Sequence, residues 1–168
     1  MSLLQLLKEK NIIKYGDFKL KSGETSNIYI NLKKVISYPN LHTMICNEIS
    51  EIINPNIELI CGAPYGAISY VSIISVNKNI PMILLRKEQK NYGLKNLIEG
   101  EFTKNQKVVL IEDVITTGSS IFESAKNLED NGLIVSQIIS IFSRSDNLNL
   151  QYNNIPIQYL YHSNELNN

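Results

Sequence analysis

Residues 108–120 read Val-Val-Leu-Ile-Glu-Asp-Val-Ile-Thr-Thr-Gly-Ser-Ser and hold the densest chemistry in the chain. Two neighbouring carboxylates, Glu112 and Asp113, follow an apolar run directly. Carboxylates accept hydrogen bonds from sugar hydroxyls and stabilise nearby positive charge. Beyond them Thr116, Thr117, Gly118, Ser119 and Ser120 crowd hydroxyls and small backbones into one bend. If that bend opens a helix, its first N–H groups lack intrahelical partners, which makes an anion site suited to phosphate. Acids for hydroxyls beside a cradle for phosphate suggest a ligand that is both polyol and phosphate ester. A pair of capping acids and an ordinary Ser/Thr helix cap are the plainer readings of the same residues.

Such residues need a scaffold. The apolar run 108–111 predicts a strand buried on both faces, the parallel-sheet pattern. The acids then sit at the carboxyl end of that strand, where open α/β sheets place their ligands. Residues 59–63, 81–85, 135–142 and 157–161 give further strands. Helical spacing covers 2–10, 39–53 and 119–131, with Gly132 as a natural terminator. Residues 64–67 predict a turn into another helix ending near residue 77. This alternation predicts an α/β fold with a central, mostly parallel sheet flanked by helices. Residues 18–21 and 28–32 break the rhythm. They predict a hairpin about a Ser-Gly-Glu-Thr-Ser turn, placed as a small cap over the ligand edge. Residues 146–154 read as loop, and 163–168 as a fraying end.

The stretch 87–101 is polar, carries Gly93 and Gly100, and separates two buried strands. A loop of that length is either a functional lid or a disordered insertion. Arginine occurs only at 86 and 144, each just after an apolar run, while lysine fills the other basic positions. Arginine's planar fork suits phosphate or carboxylate; the plainer reading is a surface ion pair.

The bulk properties narrow the class. At 168 residues one domain is expected. The 43% hydrophobic and 19% charged content is that of a soluble globular protein. A formal net charge of zero gives no global field to recruit nucleic acid or an anionic membrane. No apolar run approaches the roughly 20 residues of a membrane span, and residues 1–10 lack a signal-peptide layout. Cys46 and Cys61 have neither metal-ligand spacing nor disulfide density. Two buried thiols and a cytoplasmic location are expected.

The acid–Thr–Gly–Ser segment resembles the phosphoribosyl diphosphate (PRPP) motif of the type I phosphoribosyltransferases. Two more segments strengthen the likeness: Phe18-Lys19-Leu20-Lys21-Ser22-Gly23 with Tyr29-Ile30-Asn31, and Arg86-Lys87-Glu88-Gln89-Lys90-Asn91-Tyr92-Gly93, closing at Ile98-Glu99-Gly100. In this order they resemble the orotate phosphoribosyltransferases, particularly the version fused to a decarboxylase in animals. The likeness spans roughly residues 11–144 and fades over the tail. It implies the type I phosphoribosyltransferase fold in a single domain, 1–168. Within it, 1–38 would form an N-terminal hood, 39–162 the α/β core and 87–101 a mobile catalytic loop.

The resemblance also implies an activity. A 5-phosphoribosyl group would pass from PRPP to orotate, giving orotidine 5'-phosphate and diphosphate in pyrimidine (UMP) biosynthesis. The enzyme would be a homodimer using Mg²⁺, with no nucleic-acid or membrane partner. The metal would be held mostly by PRPP oxygens, and Asp113 would reach it through a water. Lys90, Asp113 and Lys21 would be catalytic, with Lys90 reaching into the neighbouring subunit. PRPP would be held by Arg86, Lys87, Lys90, Tyr92, Tyr65, Glu112, Asp113, Thr116, Thr117, Gly118, Ser119 and Ser120. Orotate would meet Lys21, Tyr29, Ile30, Thr116 and Arg144, with Tyr29 and Ile30 walling its ring.

Three departures stand out. Gly66 occupies a place where bacterial members often have lysine. Ser143 replaces an acid usually found before the arginine. The tail is short. A phosphoribosyltransferase for another base would keep the Glu112–Ser120 motif without Lys21, the loop and Arg144 together. A non-catalytic PRPP sensor that binds nucleic acid would need a basic face.

Overall fold

The computed structural model describes residues 2–19, 25–87 and 97–166. Lys21, Lys90 and Tyr92 therefore lie outside the described residues. So do Ser22, Gly23 and the greater part of the expected catalytic loop.

The chain opens with helix α1 (Leu3–Glu9), whose start is set by a reciprocal cap. Gln5 N–H donates to Ser2 Oγ at 3.2 Å, and Ser2 N–H to Gln5 Oε1 at 2.8 Å. Strands β1 (Ile13–Lys19) and β2 (Thr25–Ile30) form the antiparallel hood. The hairpin starts earlier than the sequence predicts, because Ile13 pairs with Ile30 and both bury their side chains. It also ends sooner. Residues Leu32–Ser37 are a 3₁₀ helix, with Leu32 and Val35 stacked on its buried side at the i, i+3 spacing.

Helix α2 (Pro39–Ile52) begins on a proline that cannot donate an N–H and turns Leu41, Ile45, Cys46 and Ile49 inward. Then follow β3 (Leu59–Gly62), α3 (Ile68–Lys78), β4 (Met82–Leu85), β5 (Ile98–Glu99), β6 (Lys107–Ile115), α4 (Ser119–Asp130), β7 (Ile134–Ser143), β8 (Gln151–Tyr152) and β9 (Ile155–His162). The larger sheet runs β5-β4-β3-β6-β7-β9-β8, with parallel pairing from β4 to β9 and an antiparallel strand at each edge. The expected α/β fold is thus observed.

Strand β6 lies mid-sheet, and its apolar run is continuous because both of its faces are covered. Val109 and Ile111 join the core under α2, α3 and the hood. Val108 and Leu110 join the second core, with Ile121, Ala125 and Leu128 of α4. No helix among the described residues is long and apolar enough to cross a membrane.

Three expectations need correction. The third buried strand does not stop at Ile111. It runs to Ile115, because β7 continues to pair with it: Glu112 lies opposite Ser140 and Val114 opposite Phe142. The stretch 146–154 is not all loop, since β8 and β9 are joined by Asn153 and Asn154 with φ of 45° and 66°, the left-handed pair of a tight hairpin. The end does not fray through 166. Ser163–Leu166 form a 3₁₀ turn, Leu166 is buried, and its carbonyl accepts from the Tyr15 hydroxyl at 3.1 Å.

Candidate active site

Because β6 extends through them, the two acids are strand residues held by ladder pairing on a rigid element. Both are buried, with about 7% of each residue's surface exposed. The Asp113 carboxylate is fixed from three sides. Its Oδ1 accepts from the Val114 N–H at 2.9 Å, and its Oδ2 takes the ammonium of Lys33 at 3.0 Å. The third side is Gly66: a Cβ built there would lie 2.0 Å from Asp113 Oδ2. The 64–66 turn therefore packs its backbone against the carboxylate, and only a residue without a side chain fits. The peptide between Pro64 and Tyr65 in this turn is cis.

Glu112 Oε1 accepts from the Asp113 N–H at 3.0 Å. Burial lifts its carboxyl well above the usual carboxylate range, and the hydrogen bond and charge of Asp113 push the same way. The Asp113 backbone N–H and the Lys33 charge oppose this in part. The pair thus offers one carboxylate matched to a cation and one carboxyl that favours its protonated form.

Lys33 was not legible as a site residue. It lies on the 3₁₀ helix that leaves the hood, and about 65% of its side chain is exposed. Its place is set by Tyr70 of α3, a fully buried residue whose hydroxyl donates to the Leu32 carbonyl at 2.7 Å. Burial raises the Tyr70 hydroxyl, so it stays a donor.

Past β6 the chain bends at Gly118, with φ of 88°, and enters α4. Gly118 matters for two local reasons. A side chain there would be strained at that φ, and its Cβ would meet Phe122 Cζ at 2.7 Å. Thr116, Thr117, Ser119 and Ser120 are all exposed at the mouth of the bend. The Thr117 and Ser119 hydroxyls lie 2.9 Å apart, and the Ser119 N–H donates to Thr117 Oγ1 at 3.4 Å. The N-cap residue, Gly118, has no side chain to cap the helix. The hydroxyls thus crowd the helix start, where first-turn N–H groups lack intrahelical partners, which is how a phosphate site is built.

Across from this bend, the expected PRPP residues of the other strand ends come together. The Lys87 ammonium sits 5.1 Å from the centre of the exposed Tyr65 ring. Arg86 and Lys87 line a polar cavity of about 320 Å³ with Pro64, Ser120 and Glu123. The Arg86 guanidinium is engaged by Glu99 of β5: its Nη2 and Nε lie 2.7 and 2.9 Å from Glu99 Oε1. With the Arg86 N–H donating to the Leu97 carbonyl at 2.9 Å, this ion pair closes the neck of the loop.

Of the residues expected to meet the base, Tyr29 and Arg144 lie at the hood, and Ile30 needs correction. Tyr29 is exposed, and its ring centre lies 5.4 Å from that of Phe18. Ile30 instead turns into the core, because neighbouring strand residues point to opposite faces. Both side chains cannot wall one ring. Arg144 follows β7; its N–H donates to the Ile115 carbonyl at 2.8 Å and its Nη2 to Ser26 Oγ of β2 at 2.7 Å. Arg144 thereby ties the end of β6, through its backbone, to the hood, through its guanidinium. No cluster of three or more His, Cys, Asp or Glu residues among the described residues could form a metal cage.

No family profile matches the sequence. Curated relatives do. The orotate phosphoribosyltransferase of Methanocaldococcus jannaschii is 36% identical over 157 residues, covering 92% of this chain and 89% of the relative. The uridine 5'-monophosphate synthase of Caenorhabditis elegans is 39% identical over 147 residues, covering 85% of this chain and 30% of that longer protein. Among solved structures, the orotate phosphoribosyltransferase of Aeropyrum pernix superposes with a TM-score of 0.86 over 98% of this chain and 96% of that one, at 23% identity. That structural likeness bears on the fold, and the fold is that of a type I phosphoribosyltransferase.

Proposed function

Because the chain belongs to the orotate phosphoribosyltransferase family, we propose that its acid pair, its Gly118 bend and the hood edge together transfer a 5-phosphoribosyl group from PRPP to a ring nitrogen of orotate. The bond from ribose C1 to the diphosphate oxygen breaks, a C1–N bond forms, and the ring nitrogen gives up its proton to the departing diphosphate or to water. Diphosphate leaves, and the product is orotidine 5'-phosphate. The observation that carries this reading is the juxtaposition of the buried Glu112–Asp113 pair with the exposed hydroxyls of 116–120 at one end of one strand.

Asp113 and Glu112 hold the ribose hydroxyls, Asp113 as acceptor and Glu112 as donor when protonated. The Asp113 carboxylate also stabilises the positive charge that builds on C1 as the diphosphate departs. Thr116, Thr117, Gly118, Ser119 and Ser120 wrap the 5-phosphate. Lys87 and Tyr65 stand on the diphosphate side, with Arg86 at the loop's neck. Tyr29 and Arg144 meet the base.

A divalent cation fits the acids present. The spot beside Asp113 already draws the Lys33 ammonium. The donor set suits a hard ion that keeps few protein ligands and arrives with substrate oxygens. Asp113 would help hold Mg²⁺ together with substrate oxygens, and the ion would supply charge neutralisation for the leaving diphosphate. By the resemblance of their segments, the loop lysine Lys90 would assist the leaving group and Lys21 would serve the reacting centre. A homodimer in which Lys90 serves the neighbouring site follows from the same resemblance.

The test is direct. Purified protein with PRPP, Mg²⁺ and orotate is expected to consume the orotate absorbance and release diphosphate in equal amounts. Reaction with hypoxanthine or uracil, and none with orotate, would replace this reading with a transferase for another base. Silence with every base would leave only the PRPP sensor.

A further inference from the structure

We propose that Ser26 of the hood is the positioning residue for Arg144, and that its being uncharged leaves the guanidinium's charge available for an anionic, carboxylate-bearing base. The inference rests on the assignment of Arg144 to orotate and goes beyond it by naming what orients the arginine.

The Ser26 hydroxyl has one hydrogen to give and two lone pairs to offer. It donates to the Ile28 carbonyl at 2.8 Å, and it accepts from the Ile28 N–H at 3.2 Å and from Arg144 Nη2 at 2.7 Å. Every valence is used, so Ser26 has nothing left for a ligand and acts through Arg144. The short turn to Ile28 locks the hydroxyl, and a locked acceptor anchors one edge of the guanidinium. Arginine keeps four further N–H donors in a rigid fork for a planar partner.

Ser143 does not make this contact. It is buried, and its hydroxyl accepts from the Ser145 N–H at 3.3 Å within the following turn, whereas the Arg144 Nη2 bond goes to Ser26. The acid that the family usually carries before the arginine is therefore not replaced in place. An orienting contact comes from the hood, 118 residues away in sequence. The chemical difference matters. A carboxylate partner would spend part of Arg144's charge, whereas a hydroxyl aligns the fork without neutralising it. None of the ion pairs found among the described residues involves Arg144.

Steady-state kinetics on four variants tests this. Ser26→Ala is expected to raise KM for orotate roughly tenfold, the scale of one hydrogen bond to a charged group, with KM for PRPP within about twofold. Ser26→Thr, which keeps the hydroxyl, is expected to restore orotate KM. Ser26→Asp is expected to hold the guanidinium yet weaken orotate, because the pair neutralises itself. In an Arg144→Ala background, adding Ser26→Ala is expected to change orotate KM no further. A Ser26 that merely stabilised the hood would add its effect there.

If Arg144→Ala raises orotate KM while Ser26→Ala does not, the positioning role is overturned and the reading of Arg144 survives. If Arg144→Ala leaves orotate KM untouched, both fall together. If Ser26→Asp binds orotate as tightly as the unaltered protein, the charge argument fails.

Discussion

Gly66→Ala is the sharpest perturbation the site allows, because it adds one methyl group and removes nothing. The new Cβ would sit 2.0 Å from Asp113 Oδ2, 2.3 Å from Cγ and 2.7 Å from Oδ1. Ordinary contact begins near 3.4 Å, so the carboxylate or the 64–66 turn must yield by about 1.4 Å, the difference between 3.4 and 2.0 Å. Neither moves freely. Asp113 is a strand residue with its Oδ1 on the Val114 N–H, and the turn hangs from the Ala63 N–H bond to the Ile111 carbonyl at 2.7 Å. Gly66 has no left-handed φ, so the penalty is one of space rather than backbone strain. Overpacking of this kind costs about 1–3 kcal/mol of stability. A displacement of about 1 Å in a positioned group costs roughly 100-fold in rate. Gly66→Ala is therefore expected to fold, to melt somewhat lower, and to lose about two orders of magnitude in kcat/KM for PRPP. The assay is the orotate absorbance decay, run beside a thermal melt. Combining it with Asp113→Ala is expected to cost little beyond Asp113→Ala alone, since both act on the same carboxylate. A Gly66→Ala protein with normal melting and kcat/KM within about threefold of the parent would refute the claim that Asp113's exact seat matters.

Three further outcomes are expected. Lys33→Met is expected to lower the melting temperature, because it leaves the buried Asp113 carboxylate without its cation, and to lower kcat/KM for PRPP; unchanged kinetics would make Lys33 a bystander. Glu112→Gln is expected to gain thermal stability on the parent as pH rises from about 5 to about 8. The parent's carboxyl is lifted by burial, so its contribution is whole below the unfolded carboxyl's range and is lost as pH climbs towards the raised value. A gap that stays constant with pH would show that Glu112 is not held in its protonated form. Lys90→Ala is expected to depress kcat far more than PRPP affinity, and mixing it with Asp113→Asn to recover activity if sites borrow the lysine across a dimer. Mixed protein no better than either parent would mean self-contained sites.

What the sequence disclosed, and what it hid, follows from the range of each interaction. The apolar run 108–111 announced a doubly covered strand because two cores press on it, and Gly118 announced a bend because few residues tolerate its φ. The same run could not say where the strand ends, since Val114 and Ile115 after the acids would look alike in a loop; the length of β7 decided it. Alternation was present at Tyr29 and Ile30 and placed them on opposite faces, so that error was avoidable. Ser26 and Lys33 were different. Each reaches its partner across a long stretch of chain, 118 residues to Arg144 and 80 to Asp113, and neither residue type is unusual where it stands.

Gly66 and Lys33 together make sense of a departure that looked like a loss. By resemblance, bacterial relatives often place a lysine where this chain has Gly66, and a cation is thereby missing from the 64–66 turn. In this chain Asp113's carboxylate fills the space any side chain at 66 would need. A cation does reach Asp113 from the other direction: the Lys33 ammonium at 3.0 Å, on the 3₁₀ helix whose Leu32 carbonyl accepts from Tyr70. Restoring the lysine by Gly66→Lys should then not restore a contact. It should expel Asp113 from its seat and separate it from Lys33, so that adding a positive charge to a site for a polyanion lowers its affinity for PRPP. Steric exclusion here outranks electrostatic attraction, because a 2.0 Å approach cannot be relieved without moving the Asp113 carboxylate or the turn itself.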